Sequence, residues 1–126
     1  MADVLKLKRI VDVEYSDVTI DSNIYHEKLR VFLKDGSIAD IWFSNKIPGR
    51  FSYHWERRNI DGTMYRHDNF PDPRWKGVSS YPRHFHNGSQ DNVKRSDIND
   101  DPVSGVREFM NFIRKYQPLN NPRLSP

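Results

Sequence analysis

The chain has 126 residues, room for one domain with a single modest core and too few for two. Hydrophobic residues are 36% and charged residues 29%, but aromatics reach 13%, which predicts a small core built largely from rings. The absence of cysteine excludes disulfides, zinc ribbons and catalytic thiols and fits a reducing cytosol, while the formal charge of +3 means little until it is located.

The opening MADVLKLKRIVDVEYSD has no apolar run long enough for a signal peptide, and no stretch approaches the roughly 20 apolar residues of a membrane span. A soluble cytoplasmic chain without membrane partners is the expectation. Within it, Leu5, Leu7, Val11, Val13 and Tyr15 share one parity and Lys6, Lys8, Asp12 and Glu14 the other, so residues 5–15 read as a half-buried strand. EKLRVFLKDGSIADIWFSN then reads as a hairpin. A three-residue loop Lys34-Asp35-Gly36, with Gly36 in the left-handed region, pairs Leu33 with Ser37, Val31 with Ala39 and Leu29 with Ile41, and so gathers the aliphatics on one face. Lys28, Arg30, Phe32, Lys34, Ile38, Asp40 and Trp42 take the other face.

FSYHWERRNIDGTMYRHDN repeats the pattern around Asn59-Ile60-Asp61-Gly62-Thr63, a turn closed by a bulge. Phe51, Tyr53, Trp55 and Arg57 share a face with Tyr65 and His67, while Ser52, His54, Glu56 and Arg58 share the other with Met64, Arg66 and Asp68. This register sets His54 across from Asp68 and Glu56 across from Arg66; a two-residue loop would set them against Asn69 and His67. From Phe70 to Asp100 the chain is broken by Pro71, Pro73, Gly77, Pro82 and Gly88 and reads as a long loop, functional or mobile. Asp101-Pro102 makes a strong helix start, Val103, Val106, Phe109, Met110 and Ile113 recur at helical spacing, and Pro118 marks the stop. The expected organisation is a single α+β domain over residues 1–117, an antiparallel sheet of about five strands with a C-terminal helix on one face, and a flexible proline-rich tail at 118–126.

Residues 50–95 hold nine Lys/Arg against five Asp/Glu, four of the five histidines and eight of the sixteen aromatics. Arginine interleaved with rings suits forked phosphates and stacked bases, although a solvated basic face has the same composition. YPRHFHNG, residues 81–88, is the densest point. If it is extended, His84 and His86 face one way and Phe85 the other. Three readings stand side by side. The imidazoles are metal ligands with a third donor from His54, His67 or Asp68; or they cap the loop while Phe85 plugs the core; or they move protons in cleavage of RNA without a metal, with arginine on the phosphate.

FSYHWERR, YRHDN followed by Pro71, and YPRHFHNGSQDNVKRS, in that order and ahead of a short helix, resemble the TumE-type toxins of bacterial and archaeal toxin–antitoxin pairs over residues 24–116. Asp68, Asn69, Pro82, His84 and His86 fall on the family's Asp-Asn and Pro-X-His-X-His positions. Where the family places Ala-Pro and a His pair after Asp-Asn, this chain has Phe70-Pro71-Asp72-Pro73. The resemblance implies a toxin neutralised by a cognate antitoxin with a DNA-binding region. The resulting expectation is a type II toxin that acts on RNA, as a metal-independent ribonuclease or an RNA-binding inhibitor of translation. His54, Asp68, His84 and His86 are its candidate catalytic residues, with Asp68 orienting His54. Arg58, Arg66 and Arg83 are assigned to phosphate, and Trp55, Tyr81 and Phe85 to stacking, with no metal or other cofactor. A His/Asp metal-dependent hydrolase and a non-catalytic protein-interaction module are the alternatives, and an exposed strand edge would allow a homodimer.

Overall fold

The computed structural model describes residues 2–120. Residues 5–15, read as a strand from their alternation, form instead the helix α1, Val4–Glu14. Its buried residues are Leu7, Ile10 and Val11, a helical i, i+3, i+4 set, while Leu5 and Val13 stay 71% and 67% exposed. A short apolar run satisfies both periods. The Asp3 carboxylate decides between them, since it accepts the Lys6 amide (3.2 Å) and satisfies a donor that only a helix start leaves free.

Seven strands follow, against the five expected: β1 Thr19–Tyr25, β2 Lys28–Leu33, β3 Ile38–Phe43, β4 Phe51–Arg57, β5 Thr63–Asp68, β6 His84–Gly88 and β7 Val93–Lys94. They form one antiparallel sheet in sequence order. The β2–β3 register is the predicted one, Leu29 opposite Ile41 and Val31 opposite Ala39, with Gly36 at φ +90° in its turn. Asp35 fastens that turn, accepting from the Ser37 amide (2.9 Å) and hydroxyl (2.6 Å). The β4–β5 pair keeps the predicted faces but slips by two residues: Arg57 pairs with Thr63, so His54 lies opposite Arg66, not Asp68. Arg57 is the cause. Its carbonyl accepts the Ile60 and Asp61 amides, and its buried guanidinium is held by Asp35 and by Asp61 (3.0 Å), which pulls the closing pair inward.

The segment read as one long loop holds β6, β7 and a single turn of 3-10 helix at Pro73–Trp75. β6 forms there because β5 offers it an open edge, Arg66 against His86 and Asp68 against His84. After it α2, Pro102–Asn120, starts as expected, Asp101 accepting the Ser104 amide at 2.9 Å. The helix continues to Asn120, past the Pro118 stop that the sequence predicts. Proline there lacks a backbone donor, a loss confined to the last turn. The rest of the predicted tail, residues 121–126, lies outside the described residues. Among those described, no helix is long and apolar enough to cross a membrane.

Both helices lie on the same face of the sheet. Leu29, Val31, Leu33, Ala39, Ile41, Phe51, Tyr53, Trp55 and Tyr65 meet Leu7, Ile10 and Val11 of α1 and Val106, Phe109, Met110 and Ile113 of α2 in one buried cluster. Each fully buried large side chain contributes about 2–3 kcal/mol relative to exposure. Gly105 lets α2 come close, because a Cβ there would run into the Tyr53 hydroxyl and come within 2.9 Å of the Asn99 carbonyl oxygen. Arg107 with Glu14 and Arg114 with Asp17 tie the end of α1 to α2. The helices thus take one face and leave the polar parity of β2–β6 facing the other way.

Candidate functional site

Because paired residues in an antiparallel sheet project to the same side, the polar face is organised in rows across the strands. One row runs Arg30, Asp40, His54, Arg66, His86 from β2 to β6; the next runs Lys28, Trp42, Ser52, Asp68, His84. Most of these residues, with Arg58, Phe70, Asp72 and Gln90, line a cavity of about 670 Å³. His54 and His86 are two strands apart, about 10 Å at the backbone. The Arg66 side chain rises between them.

Arg66 is the hub. Its Nε donates to Asp68 Oδ2 at 3.1 Å, Nη1 lies 3.5 Å from His54 Nδ1, and Nη2 lies 3.3 Å from His86 Nε2 and donates to the Gln90 side chain at 2.9 Å. Each of the three histidines has its other nitrogen on a fixed acceptor. His54 Nε2 meets Glu56 Oε1 at 3.0 Å, His84 Nδ1 the Pro82 carbonyl at 3.0 Å, and His86 Nδ1 the Gln90 carbonyl at 2.8 Å. Since those oxygens only accept, the bound nitrogens carry protons; the lone pairs of His54 Nδ1 and His86 Nε2 turn toward the cavity, and His84 Nε2 faces the Asp68 carboxylate.

Asp68, His84 and His86 are almost fully buried, at 4%, 2% and 1% exposure. Asp68 Oδ1 lies 3.2 Å from His84 Nε2 and Oδ2 lies 3.8 Å from His86 Nε2, and Oδ1 also accepts the Phe70 amide at 3.0 Å. One ligand atom from each of the three lies within 4.8 Å of the others, close enough to hold a metal ion. Trp75 covers this group, its ring 6.3 Å from His84 and 6.1 Å from His86.

Burial, reinforced by the Arg66 charge, holds the pKa values of His54 and His86 below the ordinary imidazole value; contacts with Glu56 and with the Gln90 carbonyl oppose the shift without cancelling it. Glu56 is pushed down to about 2, chiefly by its hydrogen bond from Arg58, so it remains a carboxylate beside His54. Glu56 therefore orients His54, the task the sequence reading gives to Asp68. Asp68 is instead the partner of His84 and Arg66.

Of the residues the sequence puts forward, His54, Arg58, Arg66, Asp68, His84 and His86 come together at the cavity. Four do not. Trp55 is fully buried among the core rings with its Nε1 on the Ser37 hydroxyl (2.8 Å), so it offers no face to a ligand. Phe85 turns to the helix side, stacked on His67 at 4.3 Å. Arg83 reaches the Ile98 carbonyl (2.7 Å) and Asp100 (3.5 Å), and neither it nor the half-buried Tyr81 lines the cavity. His67, weighed as a metal ligand, binds the Ser96 hydroxyl (2.7 Å) on the apolar side.

The sequence reading passed over Trp42 and Phe70, whose rings stack 5.7 Å apart at the cavity wall with Arg50 over Phe70 at 4.9 Å. The outer-face parity of Trp42 was the available signal; Phe70, beyond the strand end, gave none. It also passed over Gln90, brought in by the β6–β7 turn.

No curated protein and no solved structure gives a significant match to the chain. A family model described as Toxin TumE matches residues 1–117, a span that includes the whole sheet and every residue lining the cavity, and the chain belongs to this toxin family.

Proposed function

We propose that this toxin acts in the cytoplasm by cleaving RNA without a metal, and that an antitoxin with a DNA-binding region holds it in check. The observation that carries the reading is the convergence in one cavity of two imidazoles, His54 and His86, on the Arg66 guanidinium, with a third, His84, on the Asp68 carboxylate that Arg66 also holds. Phosphodiester cleavage needs a base, an acid and a fixed positive charge, and these groups supply all three.

In the proposed step the scissile phosphate lies on Arg66, which exchanges its contact with the exposed Gln90 for a phosphate oxygen. His54, kept unprotonated by burial and backed by Glu56, takes the proton of the 2′-hydroxyl through Nδ1. The 2′-oxygen bonds to phosphorus, the bond to the 5′-oxygen breaks, and that oxygen takes the proton held between His84 Nε2 and Asp68 Oδ1, while the Pro82 carbonyl keeps Nδ1 in place. The products are a 2′,3′-cyclic phosphate and a 5′-hydroxyl. His86 lies beside Arg66 and holds the guanidinium in place. Lys28 and Arg58 at the cavity lining receive flanking phosphates.

The test is incubation of purified protein with RNA in excess chelator, with the new ends identified. Cyclic phosphate ends are expected, with rates about 10²–10⁴-fold lower for His54→Ala and for His84→Ala, and with growth arrest lost in parallel. Intact RNA that the wild-type protein binds tightly would leave the inhibitor role and remove the catalytic one. Unchanged products and unchanged toxicity in both variants would remove the site assignment.

A further inference from the structure

We infer that Asp68, His84 and His86 form a preorganised site for a zinc-like divalent ion, and that a bound ion shuts the toxin off by taking the nitrogen that moves the proton. The inhibitory half rests on the cleavage reading above; the site itself does not.

Three observations carry the site. The first is spacing. Ligands about 2.1 Å from a tetrahedral ion lie about 3.4 Å from one another; here Asp68 Oδ1 is 3.2 Å from His84 Nε2, Asp68 Oδ2 is 3.8 Å from His86 Nε2, and one ligand atom of each residue lies within 4.8 Å of the others. The second is support from behind: both rings spend Nδ1 on main-chain carbonyls, Pro82 and Gln90, which fixes tautomer and ring plane as carbonyls and carboxylates do behind metal-bound histidines. The third is an unresolved contact. With Nδ1 on the Pro82 carbonyl, His84 Nε2 faces Asp68 Oδ1 at 3.2 Å, a ring nitrogen and a carboxylate oxygen turned to one point. Only a proton or a cation between them closes it.

The chemistry of the donors, two imidazoles and one carboxylate, suits zinc or a neighbouring transition ion better than magnesium or calcium, which favour oxygen. A fourth position would open to the cavity these residues line. Arg66 is the competitor, since its Nη2 lies on His86 Nε2. An ion held through Asp68 Oδ1 displaces that one contact and leaves the Arg66 to Oδ2 pair standing. Metal and guanidinium thus compete for a single nitrogen, that of His86, and the ion takes the place of the proton that His84 Nε2 would give.

The experiment titrates the metal-free full chain with Zn²⁺ against a chromophoric chelator at neutral pH. One equivalent is expected to bind, at least about tenfold more weakly in His84→Ala and in His86→Ala, and more tightly in Arg66→Gln, which keeps length but lifts the competing charge. The exposed His26, at the β1–β2 turn, gives the surface control: His26→Ala binds as wild type does. Imidazole ¹⁵N shifts of the unmutated protein, moved at His84 and His86 Nε2 by Zn²⁺, give the same answer without any variant. Failure to bind one equivalent, binding unchanged in both histidine variants, or weaker binding in Arg66→Gln overturns the site. In the RNA assay one equivalent of Zn²⁺ is expected to abolish cleavage seen in chelator. Full activity with the ion bound overturns the inhibition, whereas RNA left uncut even in chelator refutes the cleavage reading while the titration still decides the site.

Discussion

His67 sits on β5 among apolar groups, stacked on Phe85 at 4.3 Å with Nδ1 on the Ser96 hydroxyl at 2.7 Å, and burial pushes its pKa down to about 4. In the unfolded chain an imidazole titrates near ~6.5. Above that pH both states are neutral and nothing is lost. As pH falls through 6.5 the unfolded state takes up a proton that the folded state refuses, so stability drops by about 1.4 kcal/mol per pH unit until the folded ring titrates near 4. At pH 5 the loss from this one residue is about 2 kcal/mol, and it approaches about 3 kcal/mol below pH 4. Urea unfolding of wild type and His67→Phe at pH 7.5 and pH 5.0 isolates it. His54 and His86, also depressed, destabilise in the same direction in both proteins and cancel in the comparison. The variant is expected to lose about 2 kcal/mol less than wild type over that interval. Equal losses would refute the placement of a neutral His67 on the buried side.

Gly105→Ala drives a methyl group into Tyr53 and the Asn99 carbonyl, and thermal melts are expected to register about 1–3 kcal/mol of destabilisation. Trp55→Ala removes a fully buried ring and is expected to cost about 3–5 kcal/mol by denaturant titration. The milder Trp55→Phe should leave RNA affinity untouched; a large affinity loss in a folded Trp55→Phe would reinstate it as a contact residue. Because burial and Arg66 hold His54 down, the acid limb of the cleavage profile is expected below the ordinary imidazole range. Arg66→Gln, which lifts the charge, is expected to move that limb toward higher pH in single-turnover rates, and a shift toward lower pH would contradict the arrangement.

Parity was the part of the fold most legible in the sequence. The β2–β3 register followed from keeping Leu29, Val31 and Leu33 on one face with glycine at the turn, because a one-residue slip would expose all three. Parity also put His84 and His86 on one side of β6 and Phe85 on the other, and it grouped Trp55 with Phe51 and Tyr53, which argued for the core over the ligand. What parity could not reveal is a shift by two, which preserves both faces. The β4–β5 slip was of that kind, set by the tie of Arg57 to Asp35, 22 positions earlier. Residues 5–15 failed for another reason, since the side chains that distinguish strand from helix there are buried by α2 and by the sheet, elements absent from any local window. The meeting of Asp68 with His84 crosses the irregular stretch 69–83, whose length and composition fix no register.

The two polar rows make the site a direct reading of turn length. Every strand pairs with its neighbour in sequence, so His54 and Arg66 line up only while the turn between β4 and β5 keeps its present residue count. A single residue added to the Arg58–Gly62 turn would reverse the parity of one strand against the next, sending charges to the helices and rings to water. Two would restore the faces yet move Arg66 off His54. The toxin is therefore most sensitive to insertion and deletion in surface turns, at places where a core-centred view of the molecule would look for tolerance.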